Sequence, residues 1–298
     1  MKIAITTPTG HIGSGLVQHL LDKGGHELTL LCRDPEKVKQ FTDKGAKAVQ
    51  GDLSDGGYVT RATEGADLLF WLTPPKFDEP DFRAYQNRMG DIAAEAVRSD
   101  RIQRVVHLSS IGAQHADGTG PIAGLHDIEQ KLNAAAKDVG GSVTHLRPAS
   151  FFENYFMSLE GIKTQGAIYM PVPGDARMAM IATRDIAAAA AEVVLDESWS
   201  GVNVRDLLGP KDYSFDEVAK IIGEAAGKDI KHVQVPGEAT LQGMQQMGIN
   251  ENTARTYLEM YEAVPKGLLK PEAARNEKST TPTTFEEFAR QAIVPALQ

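Results

Sequence analysis

Along residues 1–148, short runs of β-branched and aliphatic side chains alternate with longer stretches whose apolar positions recur every three to four residues. The first pattern suits a strand buried on both faces, the second an amphipathic helix. Their regular alternation predicts βα units wound into a parallel sheet. Strands are predicted over Lys2 to Thr6, Glu27 to Cys32, Ala46 to Gln50, Ala66 to Trp71, Arg104 to Leu108 and Ser142 to Leu146. Between them the longest helical stretch is Asp81 to Arg98.

Past Pro148 the rhythm changes. Aromatic residues cluster at Phe151, Phe152, Tyr155 and Phe156, and a Pro- and Gly-rich stretch follows from Met170 to Gly174. This change sets an expected boundary between a first domain, 1–150, and a second, 151–298. Residues 179–205 again read as strand, helix and strand, so they are expected to return to the first sheet and make the second domain discontinuous. Ser214 and Glu217 form a capping box ahead of Phe215, Val218, Ile221 and Ile222, with Gly227 as the stop, which predicts a helix over about 215 to 226. No internal repeat is present.

Composition narrows the function. The chain has 298 residues, 42% of them hydrophobic, enough for a sizeable core without staples. Its single cysteine, Cys32, lies within an apolar strand and reads as an inert buried thiol, an economy that fits a reducing, cytoplasmic compartment. Neither a secretory leader nor a membrane span is expected, because no apolar run is long enough. A net charge of −9 without any block of Lys or Arg argues against direct nucleic-acid binding. Nothing has metal-ligand spacing, so no metal site is expected.

The first strand runs into Thr7-Pro8-Thr9-Gly10-His11-Ile12-Gly13 and then an apolar helix. Strand, turn and helix in that order present free N–H groups to a dinucleotide pyrophosphate, and Gly10 and Gly13 give the phosphate access that a Cβ would deny. At Gly13 the other role open to a glycine is close helix packing. Thr7 stands where the first glycine of such a loop normally makes the tight turn. The expected fold is therefore a Rossmann-type, doubly wound α/β sheet with a smaller, partly discontinuous α/β C-terminal domain.

About 20 residues past the loop, where the ribose 2′ position is read, come Arg33, Asp34 and Pro35. Asp34 before a proline is an N-cap, which leaves Arg33 free to meet a 2′-phosphate and favours NADPH. Gly51-Asp52-Leu53 is placed to border the adenine, with a turn as the other role for Asp52.

The loop at 7–13, Cys32 to Pro35, Gly51 to Leu53, His107-Leu108-Ser109-Ser110, Leu146-Arg147-Pro148 with Phe152-Glu153-Asn154, Thr183 to Ala187 and Leu208-Gly209-Pro210 follow one another in order. Together they resemble the NmrA-like, atypical branch of the short-chain dehydrogenases/reductases, which holds fungal redox-sensing regulators and bacterial quinone and triphenylmethane reductases. The resemblance implies that Thr73, Pro74 and Pro75 flank the cofactor and that Ala149, Ser150 and Phe151 approach the nicotinamide.

The usual Tyr-x-x-x-Lys pair of that superfamily is missing, since no tyrosine has a lysine four residues on. In its place the sequence offers His126, either a nicotinamide contact and proton donor or a surface residue. Ser109 and Ser110 end the fifth strand, where ligands bind in doubly wound sheets, and Ser110 joins His126 as a catalytic candidate. Two functions follow. The first is an NADPH-dependent reductase of quinones, azo dyes or arylmethane cations, its aromatic substrate held among aromatic and methionine side chains. The second is a non-catalytic NADP(H) sensor that regulates a partner protein. The reductase is favoured, because no charged tail advertises a partner; a homodimer stays open.

Overall fold

The computed structural model describes the whole chain, residues 1–298. Its first half runs β1 (Lys2–Thr6), α1 (His11–Lys23), β2 (Glu27–Cys32), α2 (Lys39–Thr42), β3 (Lys47–Gln50), α3 (Gly56–Thr63), β4 (Leu68–Trp71), α4 (Phe82–Ser99), β5 (Arg104–Leu108), α5 (Pro121–Val139) and β6 (Ser142–Pro148). Then come β7 (Ser150–Phe151), α6 (Leu159–Gln165), β8 (Ala167–Met170), β9 (Arg177–Ile181), α7 (Thr183–Leu195) and β10 (Val202–Leu207). The chain continues through β11 (Asp212–Ser214), α8 (Phe215–Ala226), β12 (Lys231–Gln234), α9 (Gly237–Gln246) and α10 (Glu251–Ala263) to a last helical stretch that begins at Phe285.

Seven parallel strands form the main sheet in the order β10-β6-β5-β4-β1-β2-β3. Alternation along each strand feeds both faces: Val106 and Leu108 enter the core beneath α1 and α7, and Val105 enters the core beneath α3, α4 and α5. Strands buried on both sides cannot be polar on either, which is why they read as continuous apolar runs. α7 lies so close to α1 that a Cβ on Gly15 would stand 2.7 Å from that of Ala187. β10 closes the sheet beside β6, whereas β9 pairs with β7 and β11 in a separate three-stranded sheet.

A third core, around Phe152, Tyr213, Phe285 and Phe288, holds the C-terminal half together. The capping box forms as read: Ser214 Oγ accepts from the Glu217 N–H at 3.1 Å and Glu217 accepts from the Ser214 N–H at 3.0 Å. α10 is clamped onto the first half. The Asn250 N–H donates to the Phe77 carbonyl at 3.0 Å, and Asn252 Oδ1 accepts from the Phe82 N–H at 2.9 Å. No helix is long and apolar enough to cross a membrane.

Candidate active site

The carboxyl ends of β1, β2 and β4 open onto a cleft of about 1010 Å³. Its floor is the turn from Thr7 to Gly13. Thr7 adopts φ +50°, the left-handed region that glycine prefers, so the turn is made despite the branched side chain, at a cost of about 1–2 kcal/mol. The two glycines of the turn do different work. Gly10 is exposed and a Cβ there would find nothing nearer than 3.7 Å, whereas a Cβ on Gly13 would lie 2.1 Å from the Thr7 carbonyl oxygen. Gly10 thus leaves the cleft open, and Gly13 is the residue that lets α1 sit against the turn.

Gly10 caps α1 without any side-chain hydrogen bond, so the first-turn N–H groups of His11 and Ile12 face the cleft uncapped. Thr7 Oγ1 is buried there with no partner. Uncapped donors at a helix N-terminus beside an orphaned hydroxyl suit a dinucleotide pyrophosphate, and Thr9 lies on the same wall.

Arg33 lines the far end of the cleft. Its backbone carbonyl accepts from Gln50 at 3.1 Å while its guanidinium makes no ion pair, and Asp34 caps the following turn by accepting from the Glu36 N–H at 3.1 Å. Asp52 and Leu53 stand opposite. The Ser54 N–H and hydroxyl, at 2.8 and 2.7 Å, hold the Asp52 carboxyl below the usual carboxylate range. Asp52 is both a turn residue and part of the cleft wall.

Pro74, Pro75, Ile12 and Phe151 border this cleft and also a second, inner cavity of about 320 Å³. Thr73, Ser109, Ser110, Ala149 and Ser150 line the inner cavity only, as do Met178, Met260, Tyr155, Tyr257 and Tyr261. The lining is mostly apolar. Phe152 and Met180, by contrast, are wholly packed in the C-terminal core.

His126 is not among these residues. Its Nδ1 lies 2.8 Å from the Ala113 carbonyl, and the wall positions of α5 are Pro121, Ile122 and Leu125. A helix turns about 100° per residue, so one position of register carries the imidazole off the wall. The structure thus places His126, expected beside the nicotinamide, outside the lining of both cavities. Lys131, further along α5, pairs with Asp91 instead of reaching the site.

Beneath the cavity lies a buried ionic group that sequence reading missed. Ser109 Oγ donates to Glu129 Oε1 at 2.5 Å, and Arg147 grips the same carboxylate with Nε at 2.9 Å and Nη2 at 2.7 Å. Glu129 is 2% exposed and ion-paired to Arg147, so the Ser109 proton is committed to its carboxylate. The signal was a glutamate on the apolar face of a helix, which is costly unless paired.

Alongside, His145 Nε2 lies 2.9 Å from Asn133 Oδ1, and the two Nδ1 atoms of His107 and His145 are 3.1 Å apart. The two imidazoles and the Asn133 amide thus form one buried chain, in which His107 Nε2 has no partner. Burial pushes His145 down to about 4 and His107 down as well.

Comparison with known proteins adds the lineage. The NAD(P)H azoreductase of Xenophilus azovorans is 28% identical over 290 residues, 97% of this chain and 96% of that protein. Quinone oxidoreductase 2 of Escherichia coli is 25% identical over 253 residues, 85% and 84% of the two chains. The Citrobacter sp. triphenylmethane reductase, solved with NADP(H), superposes with a TM-score of 0.80 at 22% identity, covering 98% of this chain and all of its own. The model of the NmrA-like family matches residues 1–289, with the Rossmann-type sheet, the turn after β1 and the paired cavities all inside that span; the chain belongs to the NmrA-like family.

Proposed function

We propose that this NAD(P)H-dependent oxidoreductase uses NADPH to reduce an electron-poor aromatic acceptor, of quinone, azo or arylmethane type, held in the inner cavity. One observation carries the reading: the apolar inner cavity and the phosphate-loop cleft share the wall of Ile12, Leu72, Pro74, Pro75, Phe151 and Asn154. A nicotinamide coenzyme lying along that wall would be held at its pyrophosphate by the N-terminus of α1 and at its ring by Ser109, Ala149, Ser150 and Phe151.

When bound, the coenzyme supplies hydride. The chain supplies the rest. His11 and Ile12 hold the pyrophosphate through backbone N–H groups, Gly10 leaves the space it needs, and Arg33 meets the 2′-phosphate. Ser109, its proton held by Glu129, accepts from the nicotinamide carboxamide and fixes the ring face. Ser110 donates to the Ile111 carbonyl at 3.1 Å, which leaves it a wall residue instead of an acid. Apolar side chains exclude water and stack the acceptor.

The names of the relatives, an azoreductase and a quinone oxidoreductase, favour the same acceptors. Following NADPH absorbance with a panel of quinones, azo dyes and triphenylmethane cations tests the reading. Turnover of at least one class is expected. Tight NADPH binding with silence on all of them replaces the reductase with the redox sensor.

A further inference from the structure

The inner cavity contains several protic groups, and three of its hydroxyls have given their proton away. Ser109 donates to Glu129 at 2.5 Å, Ser110 to the Ile111 carbonyl at 3.1 Å, and Tyr155 to Met180 Sδ at 3.9 Å. Tyr257 and Tyr261 differ. They sit one turn apart on α10, both line the cavity, and neither hydroxyl makes a hydrogen bond within the protein.

Their placement is firm. The Tyr257 ring packs against Phe77 and Phe82, each at 5.8 Å between centroids. α10 lies so close to the N-terminus of α5 that a Cβ on Gly120 would stand 2.1 Å from the Thr256 carbonyl. Burial pushes both phenols up, Tyr257 to about 12, so each remains a neutral donor at any working pH. Thr73, Ser150 and Asn154 also reach the cavity, but aliphatic hydroxyls and amides are far weaker acids than a phenol.

We propose that Tyr257 and Tyr261 bind the acceptor's oxygen or nitrogen and donate the hydrogen bonds that stabilise the negative charge growing there as hydride arrives. The inference rests on the reductase reading and narrows its substrate class. A quinone or azo group develops that charge; an arylmethane cation, which is neutralised by hydride, does not. For a quinone, hydride from the nicotinamide coenzyme brings two electrons and one hydrogen and leaves the coenzyme oxidised. The quinone becomes a hydroquinone monoanion, and a solvent proton passed through the phenol completes the hydroquinone. For an azo group the same two electrons and two hydrogens give the N–H to N–H hydrazine. The phenols come from α10, which packs against the N-terminus of α5, so the C-terminal half supplies them.

Tyr257→Phe, Tyr261→Phe and the double variant keep ring and volume while removing the donors. The double variant is expected to lose ~100-fold in kcat/KM with a para-quinone and with an azo dye, against less than about threefold with a triphenylmethane cation. Its affinity for anthraquinone-2-sulfonate, measured by calorimetry without coenzyme, is expected to fall ~10-fold. Retained turnover of the cation also shows that the fold is intact. Equal losses on all three acceptors, or unchanged quinone turnover and affinity, overturn the phenol role. If the wild type reduces nothing, the reductase reading falls, and the calorimetric comparison still decides whether these phenols hold a quinone oxygen.

Discussion

Arg33 follows β2 directly, and its guanidinium is held by no carboxylate while its neighbour Asp34 is used as a cap. A free guanidinium at the 2′ end of a dinucleotide cleft contributes through a charge-assisted contact of about 1.5–3 kcal/mol. Arg33→Ala should weaken NADPH binding about 10- to 100-fold and leave NADH nearly unchanged, read by calorimetry with both coenzymes. Equal affinity of the wild type for the two would refute the assignment. The histidine pair gives a second test at this scale. Because burial lowers His145 to about 4, the unfolded chain takes up a proton below its ordinary value of about 6.5 while the native state does not. Stability should be level above pH 7 and decline as pH falls from 6.5 toward 4, losing roughly 3 kcal/mol through His145 alone. Denaturant titrations at pH 7.5, 6 and 5 measure it, and His145→Gln, which cannot titrate, should show a shallower decline. Equal slopes in the two proteins would exclude His145 as the source.

At the scale of elements, the proposed coenzyme role of the turn between β1 and α1 and its local packing rest on different glycines. Gly13→Val would drive a branched side chain into the Thr7 carbonyl, so the turn must distort or α1 must shift, costing roughly 1–3 kcal/mol or more. Melting temperature and NADPH affinity should fall together. Gly10→Ala meets only open cleft, at φ −79°, and should lower affinity while stability stays within about 0.5 kcal/mol. A Gly13→Val protein that melts like the wild type would remove the packing role. The elements themselves were largely legible. Lys2–Thr6, Glu27–Cys32 and Arg104–Leu108 coincide with the predicted strands, and the capping box starts α8 at the predicted residue, because each signal is local: alternation, a cap, a stop. β9 was legible as a strand but not as a member of the small sheet, since pairing partners are chosen by distant segments, here β7 and β11.

Over the whole molecule, the reaction class depends on what the site lacks as much as on what it holds. Alcohol oxidation must remove a hydroxyl proton as hydride leaves, and an unassisted alcohol is a very weak acid. No phenol here is paired with a lysine, Lys131 is engaged with Asp91, and His126 faces Ala113. NADP reduction with a panel of secondary alcohols should therefore be undetectable under conditions in which quinones or dyes turn over. Alcohol oxidation without quinone reduction would contradict this account.

By itself, the sequence determined the parallel sheet, the glycine turn after β1, the unpaired Arg33 and the absence of the Tyr-x-x-x-Lys pair, all properties of neighbouring residues or fixed spacings. Only the tertiary structure decided what meets across the site. A one-residue helical register removed His126 from the wall, residues 18 and 20 positions apart brought Arg147 and Ser109 onto Glu129, and a C-terminal helix laid Tyr257 and Tyr261 over the cavity. Contacts of that kind arise from packing between elements far apart in the chain, and no local pattern encodes them.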